Sequence, residues 1–263
     1  MIIDFHTHYF PDKIAHDAII SLEQRTGIRA FAAGTRSSLE ESMSKAGIDI
    51  SLNLPVATSP DQVESINRYA EKNNRRPVFC LGAVHPLSND LPSVISQVKS
   101  MGLRGVKMHP EYQEFSPDDE SLNPLWEACI THSIFVVFHA GEDLAFKAPY
   151  RSSPAKFAEL HRRFPEFRMV LAHFGSWRMW DAVERELIGL DVYLDTSFTC
   201  GYVGDAKLAE LIRRHGADKV LFGTDSPWRE QKEDVISINS LPLSSEEKEL
   251  IFRRNAERLL GLE

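Results

Sequence analysis

Cysteine is scarce in this chain: Cys80, Cys129 and Cys200 are the only three in 263 residues. An odd number at wide spacing excludes a full disulfide framework and a paired CxxC zinc knuckle. Each lies in or beside an apolar stretch, so they read as packing residues in a reducing, cytoplasmic setting. No apolar run approaches the roughly 20 residues needed to cross a bilayer. Met1-Ile2-Ile3-Asp4-Phe5 carries neither the charged nor the apolar part of a secretory leader, so no membrane partner is expected. Positive charge is also short, with 30 Lys and Arg against 38 Asp and Glu for a net −8. That is the opposite of the basic stripe a nucleic-acid binder needs, although a small anionic substrate could still meet a local positive pocket. No GxGxxG turn follows any apolar run, which removes the dinucleotide-binding signature. Repeats, low-complexity segments and linkers are missing too, so residues 1–263 are expected to form one domain.

What is present is alternation. Short β-branched, apolar runs are predicted as strands at Ile2–His8, Asp49–Leu54, Val78–His85, Leu103–His109, Ile134–His139, Arg168–His173, Val192–Ser197 and Val220–Asp225. Between them lie predicted helices at Asp12–Arg25, Ser59–Lys72, Leu91–Met101, Asn123–Thr131, Ser153–Phe164, Trp177–Gly189 and Asp205–Gly216. Ser244-Ser245-Glu246-Glu247 opens a last helix with a capping serine and an acidic first turn, and Gly261 closes it. Strands that are nearly continuous in apolar residues, each followed by a helix, belong to a parallel sheet covered on both faces. Eight such units predict an α/β fold of the (β/α)8 TIM-barrel type; an open, doubly wound sheet is the alternative. The stretch 10–47 is longer than the other connections and is expected to insert an extra helix at the barrel mouth.

Histidine placement carries the functional signal. His16, His132, His161 and His215 fall in or at the ends of predicted helices, where a solvated face explains them. His6, His8, His85, His109, His139 and His173 all fall at C-terminal strand ends, the end at which such barrels build their active sites. Side chains alternate along a strand, so His6 and His8 share one side about 7 Å apart and can converge on one cation. His139, His173 and Asp225 end later strands, each followed within a few residues by Gly, Ser or Pro. The competing explanation is five separately satisfied core polar groups.

The ordered set of His6-x-His8, His139, His173 and Asp225 resembles the amidohydrolase superfamily. Ile3-Asp4-Phe5-His6-Thr7-His8, Gly105-Val106-Lys107-Met108-His109-Pro110 and Phe222-Gly223-Thr224-Asp225-Ser226-Pro227-Trp228 are similar to its amidohydrolase-2 branch, the group of aminocarboxymuconate semialdehyde decarboxylase and related decarboxylases and hydrolases. The resemblance runs over essentially the whole chain. It implies that His6, His8, His139 and Asp225 bind one divalent metal ion, zinc by preference, and that His173 is a catalytic histidine beside it. Lys107 has two readings: it binds a substrate carboxylate, or it is carboxylated and bridges a second metal. His109 and Trp228 would contact substrate; His85 and His109 could equally just end their strands. Trp177, Arg178 and Arg229 should edge the pocket, with Glu111, Tyr112, Phe115, Tyr150 and Arg151 in loops beside it.

The implied chemistry is hydrolysis of a small carbonyl substrate such as a lactone or amide. A metal lowers the pKa of bound water from about 15.7 toward about 7, with Asp225 as general base and then acid and His173 stabilising the oxyanion. Non-oxidative decarboxylation at the same site is the alternative. A metal-dependent deoxyribonuclease or phosphoesterase is disfavoured by Lys107, where such enzymes usually carry glutamate, and by the acidic charge. A non-catalytic ligand-binding barrel is disfavoured by a ligand set that leaves coordination positions open. The partner is a small molecule, and a homodimer is compatible with the resemblance.

Overall fold

The computed structural model describes residues 1–262. Nine short parallel strands run in chain order: β1 (Ile3–Thr7), β2 (Ile50–Asn53), β3 (Val78–Cys80), β4 (Gly82–Ala83), β5 (Gly105–Met108), β6 (Phe135–Phe138), β7 (Met169–Leu171), β8 (Tyr193–Asp195) and β9 (Val220–Leu221). They pair as β1-β2-β3 and β4-β5-β6-β7-β8-β9. The first and last strands meet through backbone bonds from Phe5 N to Phe222 O (2.7 Å) and from Asp225 N to His6 O (2.8 Å). A parallel bridge between Thr7 and Ser226 extends that seam. The fold is the α/β, (β/α)8-type barrel expected from the sequence.

The third predicted strand, Val78–His85, differs: it is split at Leu81 into β3 and β4. The cause is Asn67, on helix α3 (Val63–Asn73). Its side chain accepts from Ala83 N (2.7 Å) and donates to Ala83 O (3.0 Å), supplying the bonds that a neighbouring strand would make there. Within β1, the register against β2 shifts between Asp4 and Thr7, an irregularity of the kind that re-aims side chains beside sites. Asp4 Oδ1 accepts the His6 N–H at this point (3.2 Å), and its carboxylate also accepts from Thr224 N (3.1 Å), Thr224 Oγ1 (2.6 Å) and Gln231 Nε2 (2.7 Å). One buried carboxylate thus fixes the strand ends on both sides of the seam.

Phe5, Leu52, Phe135, Val137, Val170 and Leu221 pack together inside the barrel, and a larger apolar cluster lies between strands and helices around Trp126. Gly105 of β5 leaves room for Phe135, whose ring atoms would stand 2.6–2.7 Å from an added Cβ. The stretch 10–47 holds two helices, α1 (Asp12–Thr26) and α2 (Arg36–Ala46). The second was not expected, although Thr35 announces it by capping Ser38 N (3.2 Å). Its contacts are to helix α9 (Gln231–Ser240), while α1 is the insertion proper. The Ser244 cap and the Gly261 stop are both present, bounding the helical stretch Ser245–Leu260.

His215, at the end of helix α8 (Asp205–His215), corrects the expectation of a solvated side chain, because it is buried. Its Nε2–H donates to Val192 O (2.8 Å) and its Nδ1 accepts from Gly189 N (3.3 Å). Both bonds need the neutral ring, and burial pushes its pKa down to about 4. Unfolded histidine titrates near 6.5. The stabilisation is therefore complete above that pH and lost as pH falls through about 4, a loss of about 3 kcal/mol. Denaturant midpoints measured from pH 7 to 4 should follow this slope, and His215→Gln should flatten it; parallel slopes would remove the assignment.

Candidate active site

The histidines of β1 have their tautomers set from behind. His6 Nδ1–H donates to Asp195 Oδ2 (2.7 Å), and His8 Nδ1–H donates to Leu54 O (2.8 Å). Both Nε2 atoms therefore carry a bare lone pair. They face each other at 3.2 Å, with Asp225 Oδ1 3.0 Å from His8 Nε2 and 3.5 Å from His6 Nε2. Burial, reinforced by Lys107, pushes the His6 pKa down to about 4. Burial alone would raise the Asp225 carboxyl, yet His6, His8 and His173 hold it well below the usual carboxylate range. Two imidazoles and an ionised carboxylate crowded at these distances, with backing partners on both rings, fit the donor set that a divalent metal takes. The structure brings together three of the four expected ligands.

His139 stands apart from the three. Its Nδ1 lies 3.1 Å from His173 Nε2, its ring stacks flat on His109 (4.1 Å between centroids, 6°), and its Nε2 has no hydrogen-bond partner. His109 Nε2 meets Asp143 Oδ2 at 3.2 Å, so His109, His139 and Asp143 form a second grouping. Lone pairs of imidazoles lie in the ring plane. Parallel stacked rings cannot aim theirs at one ion, so this grouping is a hydrogen-bonded stack. Both histidines are held neutral, chiefly by burial.

His173 packs over His6 at 5.5 Å between centroids. Its Nδ1 meets Ser197 Oγ at 2.9 Å, and burial lowers its pKa. It adopts a left-handed backbone (φ 60°), as does Asp225 (φ 67°); non-glycine residues in that region concentrate at functional sites. Lys107 is fully buried with its Nζ 3.4 Å from His6 Nε2. Burial brings its pKa down to about 8, against the pull of Asp195 and Asp225. Trp228 and His109 line the cavity as expected, whereas His85 is buried outside it, its Nδ1 accepting from Leu87 N (3.2 Å): it only ends its strand. Arg229 is occupied by Asp234 (2.5 Å) and lies over Phe198, and Arg178 rests 4.5 Å above the Trp177 ring.

Asp195 and Ser197, at the end of β8, were not singled out by sequence. Asp195 holds His6 through Oδ2, while Oδ1 accepts from Ser197 N (3.0 Å), His173 N (3.1 Å) and Ser197 Oγ. Their signal was available: two polar residues at i and i+2 closing an apolar strand, the pattern that marked His6 and His8.

Above this floor is a cavity of about 1270 Å³ walled by α1 and by the loops after β5 and β6. Glu111 ties those two loops together. Buried, it accepts from Arg151 N (2.6 Å), Ser152 N (3.2 Å) and Ser152 Oγ (2.9 Å). Glu111→Ala leaves the buried N–H groups of Arg151 and Ser152 without their acceptor, at a cost of about 1–3 kcal/mol. Amide exchange across 142–153 should accelerate well before the rest of the chain; unchanged protection there would show that Glu111 is no latch.

A parallel αβ barrel with imidazoles and a carboxylate gathered at its C-terminal rim defines a class, that of metal-dependent barrel enzymes. The amidohydrolase family profile, of the amidohydrolase-2 type, matches residues 3–262, and the chain belongs to that family. No curated protein matches the sequence. Among solved structures, an uncharacterised TIM-barrel protein from Bordetella bronchiseptica is 22% identical, with a TM-score of 0.76 over 99% of this chain and 98% of that one. The 2,6-dihydroxybenzoate decarboxylase from Rhizobium is 16% identical, with a TM-score of 0.73 over 99% and 98%. The 5-carboxyvanillate decarboxylase from Novosphingobium aromaticivorans, complexed with manganese and 4-hydroxy-3-methoxy-5-nitrobenzoic acid, is 13% identical, with a TM-score of 0.72 over 99% and 96%. No helix among the described residues is long and apolar enough to cross a membrane.

Proposed function

We propose that this protein is a metal-dependent decarboxylase that releases CO2 from a small aromatic or unsaturated carboxylic acid. The observation that carries this is an aromatic-walled cavity ending on a cluster of imidazoles and one ionised carboxylate. Two of the solved relatives are decarboxylases by their names, which supports this reaction over the hydrolysis suggested by sequence. His6, His8 and Asp225 would hold the ion, manganese or zinc, and His139, whose buried Nε2 has no hydrogen-bond partner, could join them. When bound, the ion supplies a Lewis acid that anchors an acidic oxygen of the substrate and offsets developing negative charge.

The rest falls to the chain's own groups. Loss of CO2 leaves the electron pair on the former carboxyl-bearing carbon, which must take one proton, so the balance is acid anion plus proton to product plus CO2. His173 is placed to give that proton. Burial disfavours the charged ring, so a proton taken up by His173 is readily passed on, and the 3.1 Å contact to His139 Nδ1 offers a route by which that proton would arrive. Lys107, the buried cation at the floor, would steer the carboxylate inward.

Hydrolysis is kept as a second reading because Asp225, ionised and beside both histidines, is also placed to take a proton from attacking water. The two separate cleanly. Manganese- or zinc-loaded protein with a panel of hydroxybenzoates and unsaturated diacids should evolve CO2 in step with substrate loss. Turnover of lactones or amides with solvent oxygen appearing in product, and no CO2 from any acid, would replace decarboxylation by hydrolysis.

A further inference from the structure

From the cavity wall we infer that the natural substrate is longer than a single ring: an acid with an apolar body and a second anionic group, read by Arg25 of the inserted helix α1. This rests on the decarboxylase reading for the reacting end only. Ile14, Ala18, Ser21 and Arg25 fall at i, i+4, i+7 and i+11, one continuous helix face, and all four line the cavity. Ala15 and Ile19, off this face, are the buried residues of α1. From Ile14 to Arg25 this wall is about 16 Å long at ~1.5 Å per residue. The cavity, at about 1270 Å³, exceeds the roughly 300–1,000 Å³ usual for small-molecule sites. Two of the exposed large apolar side chains, Ile14 (45%) and Leu144 (42%), line it, as expected where an apolar ligand body covers them.

Charge selects the far end. The cavity-lining acids Glu111, Glu142 and Asp143 are engaged by the backbone of Arg151 and Ser152, by Arg178 and by His109 respectively; Glu114 is an exposed turn residue. Arg25 enters no ion pair among the described residues. It stands against the buried hydroxyl of Tyr112. From the ligand trio to Tyr112 the wall runs as adjoining rings, His6 to His173 to His139 to His109 to Tyr112, at centroid steps of 5.5, 4.9, 4.1 and 4.6 Å. An acid with its reacting carboxylate at His6 and His8 can lie along this surface and present a second anion to the guanidinium and the phenol.

The test compares salicylate, a biphenyl monocarboxylate and a biphenyl dicarboxylate by calorimetric binding to metal-loaded protein, alongside CO2 release. The dicarboxylate should bind about tenfold or more tighter than the monocarboxylate, the scale of one charge-assisted hydrogen bond. Arg25→Gln should abolish that advantage while leaving salicylate binding unchanged. A second variant, Leu22→Trp, should weaken both biphenyl acids and spare salicylate. Equal binding of the two biphenyl acids to the unaltered protein, or an advantage that survives Arg25→Gln, would overturn the inference even if salicylate releases CO2. Arg25-dependent binding without CO2 from any acid would uphold it and overturn only the decarboxylase reading.

Discussion

Asp195→Asn will lower both metal affinity and kcat/KM by about 10–100-fold, the usual effect of replacing a group that backs a metal-binding histidine. One carboxylate meets four donors here: the His6 ring through Oδ2, and Ser197 N, Ser197 Oγ and His173 N through Oδ1. Asparagine offers one oxygen and one NH2. With NH2 toward His6, the ring must accept at Nδ1, so its proton moves to Nε2 and the lone pair facing His8 and Asp225 is lost. With NH2 toward Ser197 and His173, donors face the backbone donors of both residues. Neither orientation preserves the floor. Calorimetric zinc or manganese titration of folded Asp195→Asn decides it, and affinity equal to the unaltered protein would dismiss the role of Asp195.

The second large effect is on stability. Gly141 (φ 95°) follows His139 by two residues, and an added Cβ would stand 2.2 Å from Trp177 N and 2.6 Å from Trp177 O. Those are backbone atoms, so no rotamer change relieves the clash. The chains leaving β6 and β7 are spliced there by Trp177 N to Ala140 O (2.9 Å) and Glu142 N to Trp177 O (3.1 Å). Gly141→Ala combines an overpacked contact with a left-handed backbone, costing about 3 kcal/mol or more, and should lower Tm by roughly 10 °C. Because the splice spaces His139 from His173, activity should fall at temperatures where the variant is still folded. A Tm within about 2 °C of the unaltered protein would contradict the close packing described here.

Much of the fold was legible because apolar strand runs and amphipathic helices each follow from local periodicity. The strand-end histidines stood out for the same reason: a titratable group closing a buried strand violates the pattern around it. What escaped depends on partners distant in sequence. Asn67 breaks the third strand from a helix, the burial of His215 is decided by Val192 and Gly189, and Glu111 acts through a loop some forty residues on. Asp195 lay within reach, but an acid at a strand end reads as a turn until a histidine is found against it. The stacking of His139 on His109 could not have been read from sequence, since strand order sets neighbourhood and not ring tilt.

The seam between β1 and β9 has a consequence for how the protein comes into being. His6 and His8 are synthesised well over two hundred residues before Asp225, and all three are held by backbone bonds between β1 and the stretch after β9. A nascent or truncated polypeptide ending before Val220 carries most of the helices and every strand but β9, yet no trio. Contacts so far apart in sequence form slowly, so chemistry switches on only with the final act of folding, and partial chains stay inert.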